Sequence, residues 1–144
     1  MDATKNADRS ISIASMIDEV SNERAWAKDN EPLRTVTLLD NVLEHLDNAY
    51  KAYASGEHPK RVMETIMAAG ELVGVAFILD NEHWKHLYIN NDLQDDIINV
   101  LRKDEGDYEK FINSIYESAA KLYILLGERK IAHSLLEHFP NYKK

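Results

Sequence analysis

The stretch "VMETIMAAGELVGVAFIL", residues 62–79, decides the fold of this chain. It is too long for a single strand and shows no alternation of apolar and polar residues, so it reads as a helix. A surface helix keeps one polar side, but here only Glu64, Thr65 and Glu71 interrupt the apolar run. A helix that is apolar on every side belongs in the middle of a bundle. The spacing therefore predicts a central helix at about 60–80. Gly70 and Gly74 lie inside it. Glycine in a helix interior costs ~1 kcal/mol relative to alanine, so two of them imply a packing reason, and with Ala68, Ala69 and Ala76 they leave room for neighbouring helices to approach.

Outward from that segment the chain reads as helices on both sides. "SGEHP" at 55–59 is a turn, with Gly56 as a stop and Pro59 as the first residue of the next helix. Before it, Leu39, Val42, Leu43, Leu46, Tyr50 and Tyr53 form one stripe of a helix over about 34–54. An earlier helix starts at a Ser10 or Ser12 cap and carries Ile13, Met16, Ile17, Val20 and the stem of Arg24 inward, until Pro32 prevents its continuation. After it, "DNEHW" at 80–84 breaks the pattern, and a short piece holds Trp84, Leu87 and Tyr88. An amphipathic helix follows at about 92–103. Asp107 caps a long helix to Leu126, and "ERKIAHSLLEHF" makes a last short one. Residues 1–9 are a polar, flexible N-terminus, and residues 10–144 form one domain. The expected fold is an all-α bundle of five to seven helices, and five Gly and three Pro in 144 residues leave little turn material for anything else.

Charge and composition exclude several function classes. The formal charge is −8, divided as −5 over residues 1–72 and −3 over residues 73–144. No basic patch exists, so the driving force for binding a phosphate backbone is missing and direct nucleic-acid binding is not expected. Without cysteine there is no disulfide framework, thiolate zinc site or cysteine nucleophile. The first residues have no signal-peptide pattern. The longest apolar run, 66–79, is broken by Glu71 and is too short to span a bilayer. A cytoplasmic protein without a membrane partner is the expectation.

The chemistry-bearing candidates are carboxylates. In "LLDNVLEHLDNAY", residues 38–50, Asp40, Glu44 and Asp47 fall on successive helical turns beside the apolar stripe. Lys51 stands four residues after Asp47, the spacing of a surface ion pair. Those acids either face water or reach a cation together with an acid from another helix. Glu71 is that acid. In an apolar helix it must snorkel, find a partner, take a proton or bind a cation. Mg²⁺ suits carboxylates from two adjacent helices.

Three segments, "EVSNERAWAKDNEP", "TLLDNVLEHLDNAYKA" and "ETIMAAGELVGVAFIL", resemble in order and spacing the helices of MazG-like all-α nucleotide pyrophosphohydrolases, especially short phage-type members. The resemblance spans about residues 12–80. It implies Mg²⁺-dependent cleavage of nucleoside triphosphates to monophosphate and pyrophosphate. The family's ligands come from a Glu-Glu-x-x-Glu motif and a later Glu-x-x-Asp. Glu44 and Asp47 match the end of the first, and Glu71 the start of the second. Leu43 stands where the family has an acid, as does Gly74, which leaves too few carboxylates for two metals.

Remaining signals are weaker. His83 and His86 are three apart, but no third metal ligand accompanies them. Asp92, Asp95 and Asp96 suit the first turn of a helix through its dipole. The reading favoured by the residues is a small acidic helical protein that acts by protein–protein interaction without a cofactor. Its charge suits a basic partner, and a homodimer is one form it can take. The alternative is a divergent Mg²⁺-dependent pyrophosphohydrolase with Glu44, Asp47 and Glu71 as metal ligands.

Overall fold

A computed structural model describes the backbone of residues 11–88 and 105–137, and the side chains of 11–83 and 106–137. The expected N-terminal tail, the helix at 92–103, His86, Asp92, Asp95 and Asp96 lie outside the described side chains. Five α-helices and no strand occur among the described residues: α1 (Ile13–Asn30), α2 (Leu33–Ala54), α3 (His58–Tyr88), α4 (Glu105–Leu125) and α5 (Arg129–Leu136). The all-α bundle expected from the sequence is what forms.

Local signals set most of the boundaries. Ser12 caps α1: the Ser15 N–H donates to Ser12 Oγ at 3.0 Å, and the Ser12 N–H donates to Ser15 Oγ at 2.9 Å. Each bond satisfies an N–H that the helix start leaves open. Glu31 and Pro32 alone connect α1 to α2. Gly56 and Gly127 take left-handed backbone, φ 78° and 81°, at the ends of α2 and α4. Only glycine enters that region without a Cβ penalty.

The helices pack in a ring, α1 on α2, α2 on α3, α3 on α4 and α4 back on α1, with α5 against α4. The two-residue connection from α1 to α2 and the three-residue connection from α2 to α3 make those neighbours antiparallel. The core inside the ring comprises Met16 and Val20 of α1, Leu39, Val42 and Leu46 of α2, Leu72, Val75 and Leu79 of α3, and Ile112, Ile115 and Leu122 of α4. Full burial of each leucine or isoleucine stabilises by roughly 1.5–3 kcal/mol before entropy is counted.

Three expectations change. First, α3 runs on through "DNEHW" to Tyr88. No Gly or Pro stops it, and three of its polar residues there have cross-helix partners. Asp80 accepts from the Tyr116 hydroxyl at 3.1 Å, Glu82 pairs with Arg34, and His83 Nε2 lies 3.4 Å from Glu109. His83 is fully buried. Second, α3 is central in that it joins α2 to α4, but it is not covered on every side. Ala68, Ala69, Leu72, Val75, Ala76 and Leu79 are buried, whereas Met63, Ile66, Met67, Phe77 and Ile78 are exposed. Third, the buried side of α2 is completed by Ala49 and Ala52, with Tyr50 and Tyr53 exposed. Small alanines allow the close approach of α3 that the bulky tyrosines would prevent.

Between His58 and His83, α3 is long and apolar enough to cross a membrane, with a mean hydropathy of 1.8 in its most apolar window. The expectation that no segment reaches that length rested on the shorter run 66–79. The central helix of a packed bundle meets the same criterion.

Candidate functional site

Glu44, Asp47 and Glu71 are not drawn into one cluster. Glu44 is exposed on α2. Asp47 is exposed and pairs with Lys51 at 3.0 Å, the i,i+4 contact expected of a surface pair. Asp40 pairs with Arg24 of α1 at 2.8 Å. Among the described residues, no group of three or more His, Cys, Asp or Glu side chains is arranged to hold a metal ion.

What α2 and α3 bring together is a histidine between two acids. His45 Nδ1 lies 2.6 Å from Glu64 Oε2, and His45 Nε2 lies 3.3 Å from Glu71 Oε1. With both ring nitrogens facing carboxylates, the imidazolium can donate to each. Burial by itself lowers the His45 pKa, but the Glu64 hydrogen bond and the charges of Glu71 and Glu64 outweigh it and leave the pKa raised. Glu64 is buried, and Glu71 is half-buried, its Oε2 lacking a hydrogen-bond partner among the described residues. Glu71 thus has a structural partner, a histidine. The sequence signal was available, since Glu64 and Glu71 are two turns apart on one side of α3. It was obscured because His45 sits in a row of acids that drew attention to themselves.

A second feature is the exposed side of α3. Met63, Ile66, Met67, Phe77 and Ile78 line it, with Gly70 and Gly74 at its middle. Phe77 is 51% exposed, and its ring also meets Tyr116 edge-on at 6.2 Å. A Cβ added at Gly70 or Gly74 would meet nothing within 4 Å. Among the described residues nothing packs closely over these glycines. They form a shallow waist between two bulky ends.

A third feature escaped the periodicity argument altogether. Glu23 occupies the core side of α1 with Met16, Val20 and Ala27, facing Ser114 and Ser118 of α4. A carboxylate in an otherwise apolar row is the signal that could have found it. Comparison of the chain with models of known protein families, with characterised proteins and with solved structures finds no significant match.

Proposed function

We propose that this protein acts by protein–protein association, and that the exposed side of α3 is the surface it uses, with a second copy of the chain as the occupant. The observation that carries this reading is the row Met63, Ile66, Met67, Phe77 and Ile78 left exposed around Gly70 and Gly74. Contiguous apolar surface of this kind marks association sites. The row is self-complementary about Gly70. In an antiparallel pair with Gly70 at the two-fold axis, Met63 faces the second copy's Phe77, and Ile66 faces the second copy's Gly74. Bulk then meets bulk at the ends, and a side chain fills each glycine gap, as an isologous interface requires. The outward surface keeps the acidic balance of the chain, formally −8 per copy, which steers a basic protein toward it.

The test exploits the absence of cysteine. A Gly70→Cys variant places the two thiols together only in the antiparallel register, so mild oxidation should give a disulfide-linked dimer in high yield. An Ile66→Cys variant should cross-link poorly by itself and well when mixed with Gly74→Cys. Sedimentation of the parent should show a concentration-dependent dimer that Phe77→Asp abolishes without loss of helical circular dichroism. A parent that stays at monomer mass at all concentrations, with no preference among the cysteine variants, would overturn the reading.

The alternative, Mg²⁺-dependent pyrophosphate release, draws no support from the separated positions of Glu44, Asp47 and Glu71.

A further inference from the structure

The seam between α1 and α4 holds a buried carboxyl whose hydrogen bonding is incomplete. Glu23 is 5% exposed. Its Oε2 lies 2.8 Å from Ser118 Oγ and also contacts Ser114 Oγ. Ser118 Oγ lies 2.6 Å from Glu19 Oε2 as well, and Glu19 Oε1 is held by Lys121 Nζ at 2.6 Å. Ser118 has a single proton for two carboxyl groups. The network closes when Glu23 is protonated, donating to Ser118 Oγ while Ser118 donates to Glu19. Glu23 Oε1 is then left as a buried acceptor with no donor among the described residues. Burial, opposed by the serine hydrogen bonds, raises the Glu23 pKa to about 8.

This carboxyl forms part of the wall of a cavity of about 470 Å³ that also includes Glu19, Trp26, Asp107, Lys110 and Phe111. The size is that of small-molecule sites. Trp26 and Phe111 stack at 4.4 Å and form its aromatic side. We infer that this cavity binds a small organic amine, its ammonium group donating to Glu23 and its apolar body lying on Trp26.

The chemistry selects that class over its rivals. An anion would meet three acids, Glu19, Glu23 and Asp107, against a single cation, Lys110, among the described residues of the wall. A neutral apolar molecule would fill the aromatic side and leave Glu23 Oε1 without a donor, at the usual cost of an unpaired buried acceptor. A metal ion would have to compete with Lys121, whose ammonium already occupies the open oxygen of Glu19. An ammonium group supplies N–H donors, the charge that an ionised Glu23 needs, and attraction to the indole face. The site is independent of the α3 surface, so its fate and that of the proposed dimer are separable.

Three isosteric probes test the assignment: 2-phenylethylamine, 2-phenylethanol and phenylacetate. Binding is read from the Trp26 indole N–H resonance, identified in a Trp84→Phe background. The amine should shift that resonance saturably and bind at least tenfold more tightly than the alcohol, with no saturable response to phenylacetate. Glu23→Gln should reduce the amine to the level of the alcohol. Trp26→Leu, followed by the melting temperature, should remove the stabilisation by amine and alcohol alike. Amine binding to the parent at pH 7 should also release protons, visible as a dependence of the calorimetric heat on the ionisation enthalpy of the buffer. Equal affinity for amine and alcohol, undiminished amine binding in Glu23→Gln, or shifts that leave Trp26 unmoved would each overturn it.

Discussion

The imidazole of His45 on α2 lies 2.6 Å from the carboxylate of Glu64 on α3 and ties the two helices across a half-buried seam. Because the folded His45 pKa is raised, the folded state binds a proton more tightly than the unfolded chain does. The stabilisation is complete below the unfolded histidine pKa of about 6.5 and is lost as pH rises through the folded value. Urea unfolding followed from pH 6 to pH 9 should show stability falling with pH, with a shallower fall in His45→Gln. At pH 6 that substitution should cost about 1–3 kcal/mol, since it leaves Glu64 and Glu71 facing each other without the cation.

Glu71 should behave as the weaker arm of the same contact. Its side chain is 35% exposed and its distance to His45 is the longer one. Glu71→Gln should therefore destabilise by only about 0.5–1 kcal/mol. Millimolar Mg²⁺ should not shift the melting temperature of parent or variant, because Glu44 and Asp47 are exposed and apart from it. Nucleoside triphosphates with Mg²⁺ should release no pyrophosphate above background. Release that disappears in Glu44→Gln would restore the pyrophosphohydrolase reading.

Glu23 contributes to the pH dependence with the same sign through the opposite chemistry. Its folded pKa of about 8 exceeds the ordinary 4.5, so above pH 4.5 the unfolded chain ionises while the folded chain keeps its proton. The penalty grows up to about pH 8 and is constant beyond. Glu23→Gln retains an acceptor for the serines and removes the ionisation, so it should stabilise the protein at pH 8, on the order of a few kcal/mol, and much less at pH 5. Thermal melts of the two proteins at both pH values decide this.

Gly70 and Gly74 offer a contrast between folding and association. Each lies mid-helix with open space over its Cα, so alanine should raise the unfolding free energy of the isolated chain by about 0.5–1 kcal/mol per site. In the proposed dimer the Gly74 methyl would meet Ile66 of the second copy. Gly74→Ala should consequently stabilise dilute protein while weakening the dimer, as read by chemical unfolding at low concentration and by sedimentation at high concentration.

The helices were legible in the chain because their causes are local. Ser12 supplies a cap, Pro32 interrupts a ladder, Gly56 and Gly127 permit a left-handed turn, and the recurrence of Leu39, Val42 and Leu46 or of Ile112, Ile115 and Leu122 marks a buried stripe within one segment. The Asp47–Lys51 pair belongs to the same class, since i,i+4 spacing alone brings the two together. Tertiary structure decided everything that depends on which helix lies opposite. His45 is a surface-like residue in sequence until α3 sets Glu64 and Glu71 against it. "DNEHW" reads as a break until Tyr116, Arg34 and Glu109 are seen to stand against Asp80, Glu82 and His83 from other helices. Residues 62–79 read as covered on all sides, because composition counts apolar residues but cannot count neighbours. Among the described residues α2 and α4 pack alongside α3 and leave the Met63–Phe77 side open. Glu23 and Ser118 are 95 residues apart in the chain, and no local pattern specifies a contact that only the docking of α1 on α4 creates.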